Sequence, residues 1–182
     1  MLGSYLDVTK PLVFFVAFFI TEGFGEWCEL TIECREHIPC INKITYVVSR
    51  NKVNFSGAMA KCKEMGMELA SIMSATEQRV ITDHIKQEGV NVVAGDPYKG
   101  FWLSGTRSSR GGNNFVWLGT GKQMTYKNFA PGQPDNAGNN EDCVELWYGS
   151  NLKFYWNDIG CYHNLRYICQ KTQKQCLDLK CQ

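Results

Sequence analysis

Between Gln133 and Cys143 the chain carries Asp135, Glu141 and Asp142, and Asn157 and Asp158 follow directly behind Trp156. Carboxylates and side-chain amides are hard oxygen donors, and Ca2+ takes six to eight of them in a flexible geometry. Gln133, Asp135, Glu141, Asn157 and Asp158 together offer three negative charges and two neutral carbonyls. One Ca2+ among them leaves a net charge of −1 and open coordination positions. The spacing is not that of the twelve-residue EF-hand loop, so two separate stretches must assemble the set in space. A loop rich in Gly, Asn and Pro can be acidic merely because it is exposed. Five donors of the right chemistry in two short stretches argue for a site.

Catalytic chemistry finds no comparable support. The histidines are His37, His84 and His163, and none stands in an H-E-x-x-H motif or beside a G-x-S-x-G. Gly119–Lys122 resembles a phosphate loop only faintly. The upstream glycine is replaced by Val116, and Gln123 follows where a magnesium-binding Ser or Thr belongs. A glycine-rich hairpin turn explains that stretch better. The chain does not read as an enzyme.

The elements that must position the oxygen donors are legible in outline. Ile44–Val48 is β-branched and aromatic and reads as a strand. A helix is expected from about Ser56 to Met65, with Ala58, Met59 and Cys62 on one face and Gly66 ending it. Glu68–Ile72 is short and strand-like. Ser74 and Glu77 have capping-box spacing; Val80, Ile81 and Ile85 recur at helical period until Gly89. Beyond residue 98 short aromatic strands alternate with Gly/Asn/Ser loops, at Phe101–Leu103, Phe115–Trp117, Val144–Trp147 and Tyr167–Cys169. The loop 128–142 is long and polar, as functional loops often are. Helices first and strands afterwards make the fold α+β, and Trp102, Trp117 and Trp156 are expected in its core.

The 182 residues are 44% apolar and carry 19 Lys+Arg against 18 Asp+Glu, enough apolar content for one core and no basic excess for a nucleic-acid binder. The apolar block Pro11–Ile20 behind Lys10 is half the length of a membrane span, and Gly23 and Gly25 follow it. Residues 1–25 therefore read as a signal peptide, with no membrane span after cleavage. Nine cysteines without a C-x-x-C point to disulfides in an oxidising compartment rather than to zinc. Asn54-Phe55-Ser56 is a glycosylation sequon, consistent with secretion into the extracellular space. Residues 26–43 form a Cys-containing extension, 44–170 the main domain, and 171–182 a Cys-containing tail.

The combination of Cys62, Phe101–Gly105, Gln133-Pro134-Asp135, Glu141-Asp142-Cys143, Trp156-Asn157-Asp158, Cys161 and Cys169 resembles a C-type lectin domain over roughly residues 40–170. Its flavour is similar to the small secreted galactose-type lectins of insects. The resemblance implies two helices with antiparallel sheets and a long calcium-binding loop region, stapled by Cys62–Cys169 and Cys143–Cys161. It implies that the five donors hold one Ca2+, that Pro134 is cis, and that two sugar hydroxyls complete the coordination at the same five residues. Gln133-Pro134-Asp135 resembles the galactose-type order, whereas Glu-Pro-Asn goes with mannose. The implied partners are galactose-terminated glycans on cell or microbial surfaces, bound for agglutination or innate-immune recognition.

The chain departs from the family pattern in three respects. Ala137 stands where strong galactose binders place a stacking tryptophan, and Tyr148, Tyr155, Tyr162 or His163 are the available substitutes. Arg107 and Arg110 stand where relatives with an auxiliary calcium carry carboxylates, which implies one ion rather than two. Thr45 replaces a cysteine of the long-form relatives, and Cys28, Cys34, Cys40, Cys176 and Cys181 lie outside the two implied bridges. The odd cysteine leaves room for a disulfide-linked homodimer. The alternative reading is a protein-recognition module on the same scaffold that binds no sugar.

Overall fold

The computed structural model describes residues 40–88, 99–109, 112–149 and 153–176. The expected signal peptide, most of the expected extension, Gly89, Arg110 and the end of the tail, with Cys28, Cys34 and Cys181, lie outside the described residues.

The architecture is α+β. Strand β1 (Cys40–Val48) leads to helix α1 (Phe55–Glu64), the two-residue β2 (Glu68–Leu69) and helix α2 (Ala75–Gln87). Strands β3 (Phe101–Arg107), β4 (Phe115–Trp117), β5 (Lys122–Gln123), β6 (Cys143–Tyr148), β7 (Phe154–Ile159) and β8 (Arg166–Cys176) follow. β1 and β8 run antiparallel in unbroken register, from Cys40 opposite Cys176 to Val48 opposite Ile168. β8 also pairs in parallel with β3 at Phe101 and Trp102. β3 pairs with β4 and β6, and β6 with β7 from Cys143 opposite Ile159 to Tyr148 opposite Phe154.

Both helices start where their sequences provide caps. Asn54 Oδ1 accepts from Gly57 N–H at 2.9 Å and opens α1, while the basic Lys61 and Lys63 lie in the last turn. Ser74 Oγ accepts from Glu77 N–H at 3.2 Å and opens α2. The reciprocal bond of the expected capping box lands one residue earlier: Glu77 Oε2 accepts from Met73 N–H at 2.6 Å.

Trp102, Trp117 and Trp156 are all fully buried, as expected. Trp117 and Trp156 pack edge to face, and their cluster takes in Ile81 and Ile85 from α2 and Leu146 from β6. Phe55, Ala58 and Cys62 of α1 pack with Trp102, Leu165 and Cys169 in a second cluster. Two disulfides tie these layers, Cys62–Cys169 and Cys143–Cys161, the pairs that the family resemblance implies.

Several strand extents differ from expectation: the strand expected over Glu68–Ile72 is confined to Glu68–Leu69, and the one expected at Phe101–Leu103 runs on to Arg107. β1 begins at Cys40 and β8 runs to Cys176 because each supplies the other's hydrogen bonds across a largely exposed ladder, which leaves no apolar alternation to read. β7 was not expected as a strand at all. Its Phe154, Trp156 and Asp158 are buried in alternation, the pattern of a strand with one face inward.

Candidate functional site

The site is built where the end of β7 meets the start of β6. The register puts Asp158 opposite Val144 and Asn157 opposite Glu145. Cys143 opens β6, and its bridge to Cys161, just past β7, pins Glu141 and Asp142 beside the Asp158 strand. The loop 133–142 comes in from the other side. It reverses through the cis bond Gln133–Pro134 and a turn at Ala137–Asn139, with left-handed residues at Asn136 (φ 50°), Gly138 (φ 65°) and Asn139 (φ 56°). Asn and Gly are the residues that adopt such angles at little cost.

Asp158 is the hub. Its side chain is fully buried. Oδ1 accepts from Asp135 N–H at 3.1 Å, and Oδ2 accepts from Asn136 N–H at 3.0 Å. Glu141 Oε2 accepts from Ala137 N–H at 2.9 Å, and Glu141 N–H donates to Asn136 Oδ1 at 3.1 Å. Ligand oxygens of Asp135, Glu141 and Asp158 thereby converge within 4.8 Å of one another. Burial raises the Glu141 carboxyl above the usual carboxylate range; Asp158 and Asp135 push the same way, against the Ala137 N–H bond that lowers it. Three crowded carboxylates, two of them half or fully buried, fit a hard divalent cation.

The other two expected donors flank this triad. Gln133 Oε1 accepts from Asp135 N–H at 3.0 Å, so the amide is folded against the loop it belongs to. Asn157 donates its amide nitrogen to Glu145 Oε1 at 3.0 Å, which leaves Oδ1 as the acceptor it can offer elsewhere.

Two residues of the site were not anticipated in these roles. Arg107, noted only for displacing a carboxylate, reaches into the cluster and donates to Asp158 Oδ2 at 2.6 Å. Glu145 is buried within β6 at 3% exposure and orients Asn157. Its signal was available, since an acid in the otherwise apolar run Val144–Leu146 needs a reason. Of the candidate stacking rings, Tyr148 packs on Phe154 at 4.7 Å, and the exposed Tyr162 lies against His163 at 4.3 Å. Tyr155 stands opposite Trp147 in the β6–β7 pair.

Residues 51–171 match the family model for the lectin C-type domain, which is more than half of the chain. The chain belongs to that family. It is 30% identical over 148 residues to the salivary C-type lectin 2 of Aedes albopictus, covering 79% of this chain and 92% of that one. It is 29% identical over 161 residues to C-type lectin 37Da of Drosophila melanogaster, covering 85% and 82%. Among solved structures, the mouse scavenger receptor C-type lectin carbohydrate-recognition domain aligns with a TM-score of 0.57 at 30% identity, over 72% of this chain and 91% of that one. The fold is the C-type lectin-like fold, a generally non-catalytic one whose members generally bind Ca2+ and recognise glycans. Among the described residues, no helix is long and apolar enough to cross a membrane.

Proposed function

We propose that this lectin domain is secreted and binds carbohydrate through one Ca2+, with galactose-type preference. The observation that carries the reading is the convergence of Asp135, Glu141 and Asp158 from two chain segments. Gln133 and Asn157 flank that triad and complete the set. When bound, the ion supplies coordination positions for two adjacent hydroxyls of a sugar. The chain's own part is to orient those hydroxyls: carboxylate oxygens accept from them and the amide N–H2 groups of Gln133 and Asn157 donate to them, using both capacities of each hydroxyl. The order amide–proline–acid at residues 133–135 favours galactose over mannose.

Secretion is supported by the leader of residues 1–25, by the bridges that an oxidising compartment allows, and by likeness to a salivary lectin. A glycan on Asn54 is compatible with the helix cap. The sugar would occupy the amide nitrogen and leave Oδ1 to Gly57. A single metal-bridged monosaccharide contact binds near millimolar strength, about −4 kcal/mol, so agglutination or recognition of microbial surfaces needs several domains acting together. A homodimer linked through the odd cysteine provides that valency.

The test is retention on a galactose resin. The protein should bind in calcium and elute with chelator or free galactose. Retention unchanged by chelator would defeat the metal-bridged mechanism, and retention unchanged by galactose would favour protein recognition instead. Exchanging Gln133→Glu together with Asp135→Asn should move the preference to mannose.

A further inference from the structure

The bonds that order the loop site form a chain of dependence. The loop N–H groups of Asp135 and Asn136 are held by Asp158, and Ala137 by Glu141 and by Asp135 Oδ1. Between Gln133 and Asp142 the backbone bonds are few, from Gln133 N–H to Ala130, from Asn139 N–H to Asn136 and, at the far end, from Arg107 N–H to Asp142. The order of the loop therefore hangs on carboxylates, and Asp135, Glu141, Asp142 and Asp158 put four negative charges into it. Without a counter-charge that arrangement repels itself.

Arg107 supplies the counter-charge. Its side chain is only 10% exposed. Nη2 donates to Asp158 Oδ2 at 2.6 Å and to the Glu141 carbonyl at 2.7 Å. Nε donates to Asp142 Oδ1 at 3.2 Å and to the Glu141 carbonyl at 3.3 Å, and Nη1 donates to the Gly112 carbonyl at 2.5 Å. The guanidinium lies 4.8 Å from the Phe115 ring centre, and the Arg107 backbone N–H donates to the Asp142 carbonyl at 2.7 Å. One planar cation thus joins the buried acid of β7 to the backbone and side chain that precede β6. A fork with five fixed donors can make that bridge, and a lysine with one ammonium cannot.

We propose that Arg107 is a resident cation of the acidic loop site, a positioning residue that keeps Asp158, Glu141 and Asp142 in their ligating arrangement before any metal arrives. The inference rests on the reading of Asp158 and Glu141 as calcium ligands. Its consequence is that the loop stays ordered in chelator, with calcium entering a site already arranged.

The experiment is residue-resolved amide exchange on the full chain, in chelator and in saturating calcium, for the wild type, Arg107→Gln and Arg107→Lys. In chelator, the amides of Asp135, Asn136 and Ala137 should exchange at least about tenfold faster in Arg107→Gln than in the wild type, the effect of losing one charge-assisted hydrogen bond. Arg107→Lys, which keeps the charge without the fork, should fall between. The core amides of Ala70 and Ser104, bonded to Ile168 and Ala70, should not change. Saturating calcium should restore loop protection in both variants. Equal loop protection in chelator for wild type and Arg107→Gln would overturn the inference, and so would core amides loosening in step with the loop in both variants. If calcium protects none of the three proteins, the metal reading itself fails and takes the inference with it. If calcium protects all three while the chelator comparison shows no difference, only the inference falls.

Discussion

Glu145 makes stability depend on pH in a direction opposite to that of most carboxylates. It lies in β6 at 3% exposure, with Asn157 on one side and Trp102 of β3 on the other. Oε1 accepts from Asn157, whereas Oε2 has no hydrogen-bond partner among the described residues. Gly100 packs so closely that an added Cβ would come within 1.6 Å of Oε2. Burial pushes the carboxyl from 4.5 up to about 7, with Glu141 adding to the effect and the Asn157 bond and Lys99 opposing it. Between those values the folded chain keeps a proton that the unfolded chain has released. The stabilisation is complete below pH 4.5 and is lost as pH rises through about 7. At about 1.4 kcal/mol per tenfold change in proton affinity, the loss amounts to roughly 3 kcal/mol. Glu145→Gln keeps the acceptor for Asn157 and cannot ionise. Guanidinium unfolding in chelator at pH 5 and pH 8 should show the variant and the wild type similar at the lower pH. At the higher pH the variant should be the more stable by up to about 3 kcal/mol. Parallel losses in the two proteins would refute the assignment of a buried, proton-holding carboxyl.

Asp158→Ala should cost about 3 kcal/mol even in chelator, because it takes from the nearly buried Arg107 its one fully buried carboxylate partner and leaves only the exposed Asp142 and backbone carbonyls, and urea unfolding measures this before any metal is added. Removing the Cys143–Cys161 bridge, which spans 18 residues, should lower stability by about 3 kcal/mol on the loop-entropy model; calorimetry of the Cys143→Ser/Cys161→Ser variant checks it.

The parts of the fold legible in the sequence are those with local causes. Ser74 and Glu77 mark the start of α2 within three residues, and the tryptophans announce a core by size alone. The carboxylate cluster was legible because its chemistry resides in residue types: Asp135, Glu141 and Asp158 would stand out in any fold. The long β1–β8 ladder was not, because exposed residues such as Lys43, Lys171 and Lys174 carry no strand signature and only the partner strand makes them one. Arg107 escaped for a related reason. Its partners in the acidic loop site lie 34 to 51 residues downstream, so its type could be read but not its bonds. Glu145 stood out as an acid among apolar neighbours, but what it does depends on Asn157 across the strand pair, which the sequence alone does not place.

The pairing of β1 with β8 brings the first and last described strands out at a single edge of the domain. A unit whose entry and exit are neighbours can be threaded into a longer polypeptide like a bead, with little rearrangement of what lies before or after it. Joining the two ends by a short linker and reopening the chain elsewhere should also preserve the fold, as it does in other domains with adjacent termini.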